Sequence, residues 1–580
     1  MKLTGAEIVV RALEAEGIRH AFGIPGTHNL ELYDALQDSS VEPVLVTDEQ
    51  SAGFMADGYW RASGSLACVN LVPGAGLTHA LSGIAEAFLD GVPMLVLGCG
   101  IRRQTSRAYQ LHDVDQLAIV APVTKGTFRP ATGAELYPVI RDACALARRG
   151  TPGPVMVEVS VDHYLTRHDV DLSGWAPPPR EPPPTPTPEQ VGRATELLRG
   201  PGAQPLLYLG LGAQGAQPEL VALAERLEAP VCTTIQGKGV FPESHPLFLW
   251  NGLGAMAPPF ARDLAAARNV MLAIGCRFSE VGTGSWGFSP PGPLIHVDIN
   301  PEVFGRNFPA ELSIAADAKS FVQALLPAIP ALPDPSSRDA AARLTTRIGA
   351  GYASLRSRTL SYRSPDRVTP FPFLEALQRV FAADTIYTAD SGNGTFLAME
   401  ALRLERPGRF LAPVDYSCMG YAVPAAIGAR LARPEAPVVA LAGDGAFLMT
   451  GLELLTAASC RIPVAVFVLR DRELAQIAQF QAAAFDRRTA SVLPDFHVGS
   501  LAEAAGVEWL ALDRDEEIET VLRDAHATVT AGRPVLVEVA IDYSQKTWFT
   551  RGVVSTTLAR MPWPDRLRFV FRAVTRKLRR

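Results

Sequence analysis

The sequence predicts an α/β protein built from three doubly wound parallel-sheet domains. Three observations carry that expectation. Short apolar runs alternate with amphipathic helical segments along the whole chain. The runs are apolar at nearly every position, as strands buried on both faces of a parallel sheet must be. Two proline-rich stretches cut the alternation into three blocks, and 580 residues are far too many for one hydrophobic core.

The first block, residues 1–172, opens on the helical "MKLTGAEIVVRALEAEGI" and carries the strand-like runs "PVLVT", "LACVNLV", "VPMLVLGC" and "PVMVEVSV". A linker is expected at 173–190, where "GWAPPPREPPPTPTPEQ" has too many prolines to continue a helix or a central strand. Residues 191–330 read as a central Rossmann-like domain with "PLLYLGLG", "APVCTTI", "VMLAIGC" and "LIHVDI". A second linker is expected at 331–367, entered through "PAIPALPDPSSRD" (327–339). The third block, 368–550, contains "PVVALAG", "VAVFVL" and "PVLVEVAI". Its end, "AGRPVLVEVAIDY", resembles "GTPGPVMVEVSVDHY" at the end of the first block, with Pro534 and Pro154 opening equivalent strands, so the two blocks are expected to be duplicated folds. Residues 551–580 form a basic amphipathic tail whose end, "PWPDRLRFVFRAVTRKLRR", places Leu567, Val570, Phe571, Val574 and Leu578 on one stripe, amid six arginines and Lys577.

Composition excludes several classes of function. A net charge of -6 gives no global attraction to nucleic acid. The seven cysteines, Cys68, Cys99, Cys144, Cys232, Cys276, Cys418 and Cys460, form no Cys-x-x-Cys pair, which points away from a disulfide framework and a zinc cluster and toward a reducing cytoplasm. No uncharged run is long enough for a membrane span, so a cytoplasmic protein is expected.

The chemistry is concentrated where strands end. In open parallel sheets ligands bind beyond the carboxyl ends, where a glycine turn lets backbone amides and a helix N-terminus meet a phosphate. "VVALAGDGAF" has that form, but Asp444 would repel a bare phosphate, and a bridging magnesium ion resolves the conflict. The simpler alternative is a helix cap. The next strand, "PVAVFVLRDRE", ends in a second acid, Asp471, 27 residues on, which places both carboxylates at one sheet edge.

Gly-Asp-Gly followed at this distance by Asn or Asp resembles the thiamine-diphosphate motif of the acetolactate synthase, pyruvate oxidase and benzaldehyde lyase group, and the likeness covers residues 1–550. The resemblance makes the three domains pyrimidine-binding, central and diphosphate-binding. It implies thiamine diphosphate and magnesium as cofactors, with Asp444, Asp471 and the backbone carbonyl of Glu473 as metal ligands. Most relatives have Asn at the second position, so the extra charge of Asp471 is expected to be balanced by Arg470 or Arg472. Cofactor contacts are implied for Gly443, Asp444, Gly445 and Ala446, for Gly392 and Asn393 in "TADSGNGT", and for Met419, which resembles the wedge beneath the cofactor.

In "VTDEQSAGFMADGYW", Glu49 stands in the place of the family's activating glutamate, although on its own it reads as a helix N-terminal acid. Sites of this family are shared between subunits, so a homodimer or homotetramer is implied. His28 in "GIPGTHNL" resembles the active-site histidine of benzaldehyde lyase, and His112 stands near the family's catalytic glutamine; either can relay a proton near neutral pH. His79 reads as helix-terminal structure. Gln476, Ile477 and Phe480 occupy the family's substrate-facing helix, Phe480 where acetolactate synthases usually have tryptophan. The central domain resembles a flavin-binding segment, with Gly210, Gly212, Gly215, Arg277 and Asp298 as candidate FAD contacts, while many relatives keep this fold without flavin.

The implied reaction is decarboxylation of a pyruvate-like 2-oxo acid and ligation of the enamine to a carbonyl acceptor. A lyase acting on 2-hydroxy ketones or 2-hydroxyacyl thioesters is the alternative within the cofactor class, and a non-catalytic scaffold the alternative outside it. The tail is expected to dock on its own subunit or to touch an anionic membrane.

Overall fold

The computed structural model describes residues 1–103, 105, 107–173, 176, 182–329, 335–485 and 487–578. Six-stranded sheets, parallel throughout, form the three blocks. The first contains β1 (His20–Gly23), β2 (Glu42–Leu45), β3 (Cys68–Leu71), β4 (Leu95–Gly100), β5 (Gly126–Phe128) and β6 (Val155–Ser160), in the order β2-β1-β3-β4-β6-β5. The central sheet contains β7 (Pro205–Leu209), β8 (Val231–Thr233), β9 (Phe248–Asn251), β10 (Val270–Ile274), β11 (Leu294–Asp298) and β12 (Leu312–Ala315), ordered β9-β8-β7-β10-β11-β12. That 3-2-1-4-5-6 arrangement is the Rossmann order.

The third sheet is β14-β13-β15-β16-β18-β17, from β13 (Ile386–Ala389), β14 (Phe410–Leu411), β15 (Val438–Gly443), β16 (Ala465–Leu469), β17 (Glu508–Leu512) and β18 (Val535–Val539). Numbered within its own domain, its order is that of the first sheet, and the matching sequences lie on the equivalent strands β6 and β18. The duplication read from one short match therefore extends to the whole topology.

The strands are uniformly apolar because both faces are covered. Leu95, Leu97 and Cys99 of β4 face one core, while Val96 faces another with Val69 and Met156. That second core is shared between the outer domains, since it also holds Val438, Ala440 and Val466 of the third sheet. Two helices carry the junction, α1 (Glu49–Ser63) in the first domain, which also packs on α2 (Ala75–Asp90), and α5 (Ala422–Ala432) in the third. Glycine permits the approach: a Cβ on Gly58 would stand 2.2 Å from the carbonyl oxygen of Ala425, and one on Gly428 2.0 Å from that of Met55.

Some expected boundaries differ. The stretch 331–367 contains the helix α3 (Pro335–Ser361), so it is not simply a linker; a proline is tolerated there because the first helical turn needs no donor from it. The same rule operates at Pro188, which opens Pro188–Arg199 after a Thr187 cap with a Gln190 capping box. Residues 174, 175, 177–181 and 330–334 of the proline-rich stretches lie outside the described residues. The tail boundary falls inside a helix, α8 (Trp548–Arg560), which is fixed to the central domain where Gly552 meets Ala255. The last helix, α9 (Trp563–Leu578), docks on α7 (Ala475–Phe485), and among the described side chains the contact is made off the expected stripe. Phe569 meets Phe485, and Arg572 lies over both rings and Arg576 donates to the Phe485 carbonyl. Leu567, Val570 and Phe571 are exposed, and the side chains of Val574 and Leu578 lie outside the described ones. Among the described residues no helix is long and apolar enough to cross a membrane.

Candidate active site

At the carboxyl edge of the third sheet, β15 turns at Gly443 into α6 (Asp444–Thr450). The helix cap is Gly443, so Asp444 is not the cap residue. Its side chain is 2% exposed as part of a buried residue and reaches across to the next strand's loop, where Oδ2 accepts the Arg472 amide at 2.7 Å while Oδ1 accepts that of Gly445. Arg472 adopts a left-handed φ of 65°, a conformation uncommon for a non-glycine residue, and in it the backbone amide reaches Asp444. Asp471 lies beside this contact. Burial raises Asp444, and burial with Asp444 nearby pushes Asp471 up to about 7. Two acids raised by burial, one of which disfavours the charge of the other, form the donor set a hard divalent cation satisfies.

The expected balance of Asp471 by Arg470 or Arg472 is corrected. Arg470 is occupied by Glu538 and Asp495, Arg472 faces Asp495 at 3.7 Å, and the cation that favours ionised Asp471 is Arg367. The Glu473 carboxylate pairs with Arg488, which leaves only its backbone for the role expected of it.

The other residues expected to contact the diphosphate lie beyond the carboxyl end of β13, the strand next to β15. Asn393 begins α4 (Asn393–Ala401) as a buried residue, and its Oδ1 has no partner. Gly392, at φ 130°, and Gly443 both open onto free space where a Cβ would be. Two carboxylates and an orphaned amide oxygen suit a hard cation such as magnesium, and the N–H groups at two helix starts suit the diphosphate it would accompany. Met419 is half-buried and brings its Cε within 3.6 Å of the Cβ position of Gly445; Ala446 is buried beside it in α6. Asp390, missed by sequence reasoning, holds this wall together. It accepts the amides of Ser391, Gly420 and Ala422, and burial pushes it up to about 6.

The first sheet supplies the second cluster. Beyond β2, Asp48 caps α1 through the Gln50 amide, and Glu49 follows as its first residue, 9% exposed. Since Asp48 serves as the cap, Glu49 is free for another use. His79, expected to be helix-terminal structure, sits in the second turn of α2 with Nδ1 3.4 Å from Glu49 Oε2. Glu453, also missed, comes from the third domain, where its Oε1 accepts the Thr47 amide and hydroxyl and the Asp48 amide at 2.9, 2.6 and 3.3 Å. The approach to Glu49 is thus held by the segment that follows Asp444 in the same chain.

His28 and His112 stand together, ring centroids 5.4 Å apart. Burial, then His112 and Arg102, lowers His28 below the usual imidazole range. Buried Gln116 braces this edge by donating to the Cys99 carbonyl and accepting the Gly74 amide. Gln476, Ile477 and Phe480 lie on α7 just beyond the Asp471 loop, with Ile477 exposed.

The candidate flavin residues only partly converge. Gly210, Gly212, Arg277 and Asp298 line a cavity of about 280 Å3, and burial pushes Asp298 up to about 6. Gly215 does not line it. Gly210 and Gly212 are required by packing, since their Cβ atoms would meet Gly275 at 2.0 and 2.9 Å. Arg277 is occupied by Asp415 and the Leu89 carbonyl.

Paired carboxylates at one strand edge, an orphaned amide at a neighbouring helix start and a buried glutamate on a duplicated sheet fit the class of enzymes that bind a diphosphate cofactor. Family comparisons agree with that class. Residues 3–119 match the thiamine pyrophosphate enzyme N-terminal TPP binding domain, 191–325 the central domain and 390–539 the C-terminal TPP binding domain. The chain is 33% identical over 565 residues to a probable acetolactate synthase large subunit of Methanocaldococcus jannaschii, covering 93% of this chain and 92% of that one. It is 30% identical to the acetolactate synthase isozyme 3 large subunit of Escherichia coli, with 94% and 96% covered, and 31% to an acetolactate synthase of Mycobacterium bovis, with 94% and 89% covered. The chain belongs to the thiamine pyrophosphate enzyme family.

Proposed function

We propose that this protein is a thiamine-diphosphate-dependent carboligase that decarboxylates a 2-oxo acid, pyruvate foremost, and joins the remaining carbons to a second carbonyl compound. The observation that carries the reading is the Asp444–Asp471 pair at adjacent strand ends, both carboxylates raised by burial and Asp471 raised further by the charge of Asp444. Its acetolactate synthase relatives supply the choice of substrate class.

In this proposal Asp444, Asp471 and the Glu473 carbonyl would hold magnesium, and the N–H groups of Asn393 and of the backbone near Gly392 and Gly443 would hold the diphosphate. When bound, the cofactor supplies a nucleophilic carbon and the electron sink for loss of carbon dioxide. Glu49 exchanges a proton with the pyrimidine ring, and its burial keeps water from competing. Neutral His28, with His112 beside it, moves the proton of the substrate oxygen. Gln476, Ile477 and Phe480 shape the acceptor side. FAD has no role in this reading, because Gly210 and Gly212 of the flavin-like fingerprint are explained by packing on Gly275, and Gly215 does not line the cavity.

A second copy of the chain completes the assembly. Leu448, Met449, Leu452 and Leu455, which directly follow Asp444, are exposed apolar side chains suited to a subunit interface. The His28–His112 pair favours one second reading, a lyase that removes the hydroxyl proton of a 2-hydroxy ketone. Incubation with thiamine diphosphate, magnesium and 2-oxo acids, with and without aldehydes, followed by mass analysis, separates the two. Carbon dioxide release and a lengthened acceptor support the carboligase; cleavage of 2-hydroxy ketones without reaction of any 2-oxo acid supports the lyase. If no carbon-carbon bond is made or broken, both fail.

A further inference from the structure

We infer that His79 is a positioning residue for Glu49, an inference that rests on the proposal that Glu49 activates the cofactor. The geometry begins with packing. A Cβ on Gly53 of α1 would stand 2.7 Å from Gly83 of α2, so the two helices pass almost in backbone contact. Farther along, Arg61 of α1 reaches Asp90 of α2 at 2.7 Å, which makes the helices run in the same direction. Glu49 and His79 are each one helical turn before the glycine crossing and are thereby brought side by side.

His79 Nδ1 then faces Oε2 of Glu49 at 3.4 Å, and one ligand atom each of Asp48, Glu49 and His79 lies within 4.8 Å of the others. The other oxygen, Oε1, lies against the first turn of α2, where a Cβ on Gly76 would be 3.1 Å away. The imidazole therefore takes one carboxylate oxygen and the absence of a side chain at Gly76 keeps the second one open. His79 itself is 61% exposed, so its replacement costs little packing. The contact at Nδ1 restricts the side-chain torsion of Glu49 on that side, and an acid that must meet a ring nitrogen in one orientation loses rate when that torsion is free.

The test uses the full-length protein with thiamine diphosphate and magnesium and two variants. His79→Leu removes the donor, and His79→Asn keeps an N–H near the position of Nδ1. Two quantities are measured, cofactor binding to the apoprotein by calorimetry and exchange of the bound thiazolium C2 proton for deuterium by NMR. All three proteins are expected to bind within about threefold of one another, with exchange slowed at least about tenfold in His79→Leu and within about threefold of the parent in His79→Asn. Exchange in His79→Leu at the parent rate, or equal losses in both variants, overturns the inference while the functional reading stands. A parent that binds no thiamine diphosphate overturns both.

Discussion

Asp471→Asn removes one charge from the carboxylate pair while keeping its size and one oxygen. Burial and Asp444 raise Asp471 from 3.8 to about 7 in the folded chain. An acid raised by folding holds its proton more tightly in the native state. The associated stability is fully present below about pH 4 and is lost as pH rises through about 7. At 1.36 kcal/mol per pKa unit, a rise of roughly three units corresponds to about 4 kcal/mol. Asp471 is partly solvent-accessible, so screening reduces the expected loss to about 2 kcal/mol. Metal-free Asp471→Asn should thus melt roughly 4–8 °C above the parent at pH 8, if the third domain unfolds as a unit of ordinary size. The gap should narrow at pH 5, where the parent carboxyl is protonated. Calorimetry in chelator at both pH values is the assay, and magnesium should then stabilise the parent more than the variant at pH 8. A variant no more stable at pH 8, or a gap equal at both pH values, would refute the argument.

Three further outcomes are expected. Glu49→Gln should lower kcat by about 10²-fold or more while thiamine diphosphate binding stays within about threefold, checked by steady-state kinetics beside calorimetry. Because His28 is lowered from 6.5, the acid limb of the kcat/KM profile should fall below that value and move or vanish in His28→Ala, which a pH series would show. Gly58→Val should cost more than about 3 kcal/mol, since its Cβ would sit 2.2 Å from the Ala425 carbonyl, and chemical denaturation would measure the loss.

The architecture is legible in the sequence wherever the physics is local. Strands covered on both faces read as unbroken apolar runs, and the match between the ends of the outer blocks reflects equivalent strands β6 and β18. Asp444 and Asp471 are visible because the spacing of neighbouring parallel strands is written into one stretch of chain. His79, Glu453 and Asp390 are not legible as site residues, because their partners lie in other segments; Glu453 meets Thr47 across 406 positions. The charge balance of Asp471 is misjudged for a related reason, since proximity in sequence suggests Arg470 while folding delivers Arg470 to Glu538 and Asp495. Proline content at 327–339 marks a break correctly but does not disclose that a helix starts at Pro335. In the tail, helical periodicity identifies an apolar stripe, whereas the contact with Phe485 is made by Phe569 and Arg572 off that stripe.

The central claim is that Asp444 and Asp471 clamp the cofactor through magnesium. Calorimetric titration of the metal-free protein with thiamine diphosphate, with and without magnesium, in the parent and in Asp444→Ala, tests it most directly. Binding by the parent should be saturable and require magnesium, and it should be lost in Asp444→Ala at the same magnesium concentration. Binding that is indifferent to magnesium, or unchanged in Asp444→Ala, would contradict it.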